Sequence, residues 1–169
     1  MSENSVESCI RVRPADRLQR FFTRPFFLSL TIGVPFCLYK GLFGLAAFRT
    51  GTATSSPVLI LFGWIVIAWA AIDLVMNALR TVFDLMHREA PIEYCSLAEM
   101  GRIIHRPRVF LAIDTLISFV IISVMLWSGL ITALTVPESY LWYAATTLNL
   151  ISLSVVSLYN EMKKAEHSP

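Results

Sequence analysis

Charge distribution constrains this chain more than any other feature. Residues 50–72, 115–137 and 139–160 contain no Asp, Glu, Lys or Arg, and residues 25–48 contain only Lys40. A run of about 20 apolar residues, wound as a helix, matches a hydrocarbon core roughly 30 Å thick. Four such runs predict four transmembrane helices, at about 26–47, 57–79, 109–133 and 139–160. The composition agrees. Over 169 residues, 56% are hydrophobic and 15% charged, against about 45–50% and about 25% in soluble domains. The reading is an all-α, four-helix transmembrane bundle forming a single polytopic domain, 1–169, built from two helical hairpins.

The basic residues set the expected orientation, because Lys and Arg are retained in cytoplasmic loops. Arg11, Arg13, Arg17, Arg20 and Arg24 precede the first run, in a segment taken as 1–25. Arg80, Arg88, Arg102, Arg106 and Arg108 fall in the loop 80–108 between the second and third, and Lys163 and Lys164 lie in the tail 161–169. Both termini are therefore expected in the cytoplasm, with the bacterial plasma membrane as the expected host. The first helix is expected to be retained as a signal-anchor, since acidic residues precede any apolar run.

Two segments read as short cytoplasmic surface helices. Ala15 to Arg24 groups Leu18, Phe21 and Phe22 on one face with Arg17, Arg20 and Arg24 around it, the pattern of an interfacial helix. Ser96-Leu97-Ala98-Glu99 matches a capping box, which predicts a helix from Ser96 through about His105. Arg102, Arg106 and Arg108 then complete a basic surface suited to anionic headgroups. The alternative is that both segments are frayed span ends.

A shared string hints at duplication. Arg20-Phe21-Phe22-Thr23-Arg24-Pro25 parallels Arg102-Ile103-Ile104-His105-Arg106-Pro107. Because both copies approach from the same side, a true repeat would be parallel and the bundle pseudo-two-fold. The alternative is that any re-entry from a cytoplasmic loop favours such residues.

Ionisable residues within spans are costly, about 2.5–3.5 kcal/mol at a helix centre on insertion scales, and so mark candidate sites. Lys40, Asp73 and Asp114 qualify. Asp73 and Asp114 lie at similar expected depth, roughly 10 Å inside the cytoplasmic edge, and Asp73, Asn77, Arg80 and Asp84 form a helical stripe. One reading is an inner-leaflet pocket lined by Asp73, Asn77 and Asp114, with Asn149 deeper, able to hold a cation or relay protons. The other pairs each Asp with Arg80 or Arg108. Lys40 is expected in the outer half, snorkelling toward headgroups with Glu138 as partner. Gly33, Cys37, Gly41 and Gly44 place small residues where a second helix can approach closely. Trp127, Tyr140, Trp142 and Tyr143 read as an interfacial aromatic belt, with Trp64 and Trp69 packed deeper.

Other chemistries lack a pattern. The His residues lie outside the spans, no Cys and His are spaced as metal ligands, and no phosphate-binding loop or nucleophile motif occurs. No enzyme activity, metal or cofactor is expected, and a net charge of +2 argues against nucleic acid. The expected partners are an anionic bilayer and other membrane proteins or further copies of the chain. The leading expectation is an accessory, assembly or scaffold subunit of a membrane complex. The alternative is a small oligomeric transporter or channel using the carboxylate pocket.

Overall fold

The computed structural model describes residues 25–88 and 90–166. The expected interfacial helix with Arg17, Arg20 and Arg24 lies outside them. The chain is an all-helical, integral membrane four-helix bundle. Four helices are long and apolar enough to span a bilayer: Ser29–Ala53, Pro57–Leu85, Pro107–Trp127 and Val136–Tyr159. A surface helix, Ser96–Ile103, sits between the second and third spans.

Proline starts these helices where its missing N–H costs nothing. Pro25, Pro57 and Pro107 each open a helix, and Pro137 stands one residue into the fourth. Pro35 is different, because it lies within the first span. Its ring crowds the carbonyl of the residue four earlier, Thr31, and the backbone widens into a π-helical turn over Ser29–Gly33. Several ends differ from the hydropathy edges. The second helix runs to Leu85 and the fourth to Glu166, since a helix persists beyond the apolar slab. The third stops at Trp127, because Gly129 takes a left-handed conformation (φ 74°) and leads into the 3-10 turn Leu130–Ala133. The fourth begins at Val136 rather than 139, where the Glu138 carboxylate accepts the Thr135 amide at 2.8 Å.

Three helices end in the same way. Ser55, His87 and His105 adopt positive φ, and Ser56, Arg88 and Arg106 donate their amides back to the carbonyls of Gly51, Phe83 and Gly101. These are Schellman turns, built here without the glycine usual at that position.

The first span is the central post. Within its apolar window 56% of residues are buried, against 22% in each of the others. It lies along the second span, as a hairpin, and also contacts the third and fourth, which approach it more closely than they approach each other. The parallel string around Pro25 and Pro107 is thus not matched by equivalent burial of the two spans it introduces. The core joins Phe36, Tyr39, Leu42 and Ala46 to Met125, Trp142 and Ala145. Tyr39 meets Trp142 edge-on at 4.8 Å between centroids, and its hydroxyl donates to Thr146 Oγ1 at 3.0 Å.

Close approach of the first hairpin depends on Gly44 and Gly63. A β-carbon on Gly63 would fall 2.7 Å from the Phe48 nitrogen and 2.8 Å from the Gly44 oxygen. Gly41 imposes no such demand, since a methyl there would meet only Ala70 at an ordinary 3.8 Å. Trp127, Tyr140 and Tyr143 point outward as an interfacial belt would, but Trp142 is buried in the core. Trp64 is exposed rather than packed deep, stacked edge-on against Phe48. At the end of the first span Arg49 grips Glu138 with two 2.7 Å bonds, tying the first span to the fourth.

Candidate functional site

The three intramembrane charges meet at one point. Lys40 Nζ donates to Asp73 Oδ2 at 2.8 Å and to Asp114 Oδ1 at 2.5 Å, with all three residues buried. This corrects the expected position of Lys40. It neither snorkels to the headgroups nor pairs with Glu138, which belongs to Arg49. The depth count assumed a first span ending near residue 47, whereas the helix continues to Ala53 and leaves Lys40 near its middle. The four-carbon stem then reaches between the neighbouring helices. The pairing of Asp73 and Asp114 with Arg80 or Arg108 is likewise overturned. Arg80 instead donates to the Ile92 carbonyl at 2.7 Å, pairs with Glu93 and stacks on the Tyr94 ring at 3.7 Å.

Helical periodicity explains the convergence. Trp69, Asp73 and Asn77 are spaced by four and share the face of the second span that meets the first, while Asp114 and Ser118 share the buried face of the third. An ammonium has three donors. Two serve the carboxylates, and the Trp69 ring lies under Nζ at 4.3 Å to its centroid, where the negative face of the indole favours a cation.

Asp73 is satisfied from a second direction. Its Oδ1 accepts the Ser96 amide at 2.8 Å and the Ser96 hydroxyl at 2.7 Å, and Trp69 Nε1 donates to that hydroxyl at 2.9 Å. The helix anticipated at the capping box is present, but its cap is Cys95, whose sulfur accepts the Ala98 amide at 3.4 Å. Ser96 is released from capping and reaches into the charged cluster instead. The partner Glu99 accepts the Glu93 amide at 3.1 Å and pairs with Arg102, which also donates to the Pro91 carbonyl. Arg106 and Arg108 are exposed. Burial pushes the Cys95 thiol up to about 12, with Asp114 adding to the effect.

Below the cluster, Asn77 joins the first two spans. Its side-chain oxygen accepts the Ser29 hydroxyl at 2.9 Å, and its amide donates to the Asp73 carbonyl at 3.0 Å and to Cys37 Sγ at 3.6 Å. Gly33 makes room for it, because a β-carbon there would overlap Asn77 Oδ1. Asp84, the last member of the expected stripe, accepts the Phe26 amide at 3.0 Å. It caps the first helix and takes no part in the site.

These residues border a cavity of about 220 Å³ among the first three spans and the loop before the surface helix. Asp73, Asn77 and Asp114 line it together with Cys37, Cys95 and Tyr94, and Ile32, Phe36 and Leu111 supply apolar wall. Asn149 does not reach it. That residue is buried on the fourth span beside Tyr39, with its Oδ1 unpartnered. Sequence reasoning therefore brought together Asp73, Asn77 and Asp114, misplaced Lys40 and Asn149, and missed Trp69, Ser96 and Ser29. Trp69 carried a usable signal, being one helical turn from Asp73. The cluster holds two carboxylates and one ammonium, so it is one positive charge short of neutral. It can accept a proton or a cation, and Ser96 links it to the segment between the second and third spans. Compared with known proteins, the chain matches no protein family, no curated protein and no solved structure.

Proposed function

We propose that the chain is a small transporter or channel, working as an oligomer, in which the cavity beside Lys40, Asp73 and Asp114 takes up a cation or proton within the inner leaflet. The observation carrying this reading is the uncompensated carboxylate on the wall of a cavity inside a membrane domain. An unbalanced charge in a low-dielectric interior is costly, and a binding site for a cation turns that cost into selectivity. The basic loops support a site that opens toward the cytoplasm, with both termini on that side, in a bacterial plasma membrane.

The test is ion flux in proteoliposomes containing a trapped pH dye for protons or a trapped sodium-sensitive dye for cations. With an imposed potassium diffusion potential, the wild type is expected to move protons or cations above the rate of empty vesicles, and Asp114→Asn to fall to background. Equal rates in wild type, Asp114→Asn and empty vesicles would overturn the proposal.

A second reading is an accessory, assembly or scaffold subunit. It draws on the large apolar side chains that the second, third and fourth spans turn outward, among them Trp64 and Trp127. Purification in mild detergent separates the two. A stoichiometric complex with different polypeptides supports the subunit role, and a homo-oligomer supports transport.

A further inference from the structure

We infer that the ligand of this cavity is a small organic ammonium ion, a protonated amine with a short apolar body, whose charged end is held by Asp114. The inference rests on the reading of the cavity as a cation site and narrows the class of cation.

Three observations point this way. The first is where the unneutralised charge lies. Asp73 accepts from Lys40, from the Ser96 amide and from the Ser96 hydroxyl, whereas Asp114 receives Lys40 on one oxygen and has only the weakly donating Cys95 thiol beside it. A second cation therefore belongs at Asp114, on the cavity side. The second is the wall chemistry. A bare metal ion stripped of water requires about six or more oxygen ligands for the hard divalent cations, and no group of three His, Cys, Asp or Glu side chains among the described residues is placed to hold a metal. The Ser29 and Thr115 hydroxyls give their protons to Asn77 and to the Leu111 carbonyl, which leaves their oxygen lone pairs able to accept from ammonium N–H donors. Ile32, Phe36 and Leu111 offer carbon surface, the usual wall of an organic-ligand pocket with a few placed polar groups. The third is size. A cavity of roughly 150 Å³ accommodates benzene, so about 220 Å³ has space for a compact amine. The Lys40 side chain is itself a butylammonium seated between the same two carboxylates, and shows that the site accommodates that chemistry.

The test uses the full chain in nanodiscs with n-butylammonium chloride as probe, and n-butanol, NaCl and KCl at equal concentration as controls. Binding is read by calorimetry and by the shift in thermal unfolding midpoint. Saturable binding of n-butylammonium, absent with n-butanol, is expected, with affinity reduced at least tenfold in Asp114→Asn. Asp114→Asn leaves Lys40 paired one-to-one with Asp73 and is expected to fold. Leu111→Trp, which fills the cavity without touching the charges, should abolish binding independently. If n-butylammonium gives no saturable signal while NaCl or KCl does, or while Asp114-dependent proton flux is present, the ligand class is wrong and the cation site stands. If no cation binds and no flux depends on Asp114, both are wrong. Equal binding of n-butylammonium by wild type and Leu111→Trp would also overturn the inference.

Discussion

Removal of the Lys40 ammonium is the most informative perturbation. In Lys40→Met the stem volume is nearly kept, but Asp73 and Asp114 lose their shared counter-ion. Lys40 is fully buried and its Nζ contacts both carboxylates and the Trp69 ring. Breaking a buried ion pair from one side costs about 3–5 kcal/mol, and here two carboxylates are stranded, so the upper part of that range applies. That corresponds to roughly a thousandfold increase in the unfolding constant. Asp114→Asn leaves a neutral Lys40–Asp73 pair and loses one charged hydrogen bond, about 1.5–3 kcal/mol. Asp73→Asn falls between, because the amide oxygen still accepts from Ser96 while its NH₂ opposes the ammonium. Combining Lys40→Met, Asp73→Asn and Asp114→Asn in one triple variant strands no charge and is expected to recover most of the loss. Reversible unfolding of the reconstituted protein, followed by tryptophan fluorescence, gives the order. Lys40→Met no less stable than Asp114→Asn, or a triple variant as unstable as Lys40→Met, would refute the reasoning.

Other expectations follow from local geometry. Gly33→Ala drives a methyl into Asn77 and should cost about 1–3 kcal/mol by overpacking, with Asn77→Ala restoring part of it in the double variant. Ser55→Gly relieves an exposed left-handed residue (φ 51°) and should raise stability by about 1 kcal/mol, whereas Ser55→Val should lower it; both are read from unfolding midpoints. With its thiol at about 12, Cys95 carries roughly three-thousandfold less thiolate near neutral pH than a free cysteine at about 8.5. In a Cys9→Ser, Cys37→Ser background, maleimide labelling at pH 7.4 should be slow, rise with pH up to about 12, and become fast once the chain is unfolded in SDS. Rapid labelling of the folded protein would place Cys95 outside the cavity wall. Because native Cys95 is a poor topology reporter, exposed loop positions serve better. An impermeant reagent on intact cells should label Ser55→Cys and spare His105→Cys, and the opposite result would invert the orientation.

The bundle was legible because a bilayer writes plainly in sequence: uncharged runs mark spans, and prolines mark where helices open. Half of the site was legible too. Asp73 and Asn77 announced a shared face, and the depth count set Asp114 level with Asp73. Lys40 was not, for a definite reason. Its expected depth rests on a span ending near residue 47, but the helix carries on to Ala53, and a long flexible side chain adds reach that counting omits. Ser96 was hidden by a stronger local explanation, since Ser three residues before Glu is a familiar cap. The cap went to Cys95, and the hydroxyl served a contact 23 residues away. Contacts of that separation arise from the packing of spans, which periodicity alone does not specify.

The central claim, that Lys40 is locked between Asp73 and Asp114, can be tested at the ammonium itself. The chain has only three lysines, at 40, 163 and 164, so Lys163→Arg and Lys164→Arg leave Lys40 as the sole source of a ¹⁵Nζ signal. In the reconstituted, isotope-labelled protein, the expected result is a slowly exchanging ammonium resonance correlated with the carboxylate carbons of both Asp73 and Asp114. A rapidly exchanging, solvent-like ammonium with no correlation to either carboxylate would contradict the account.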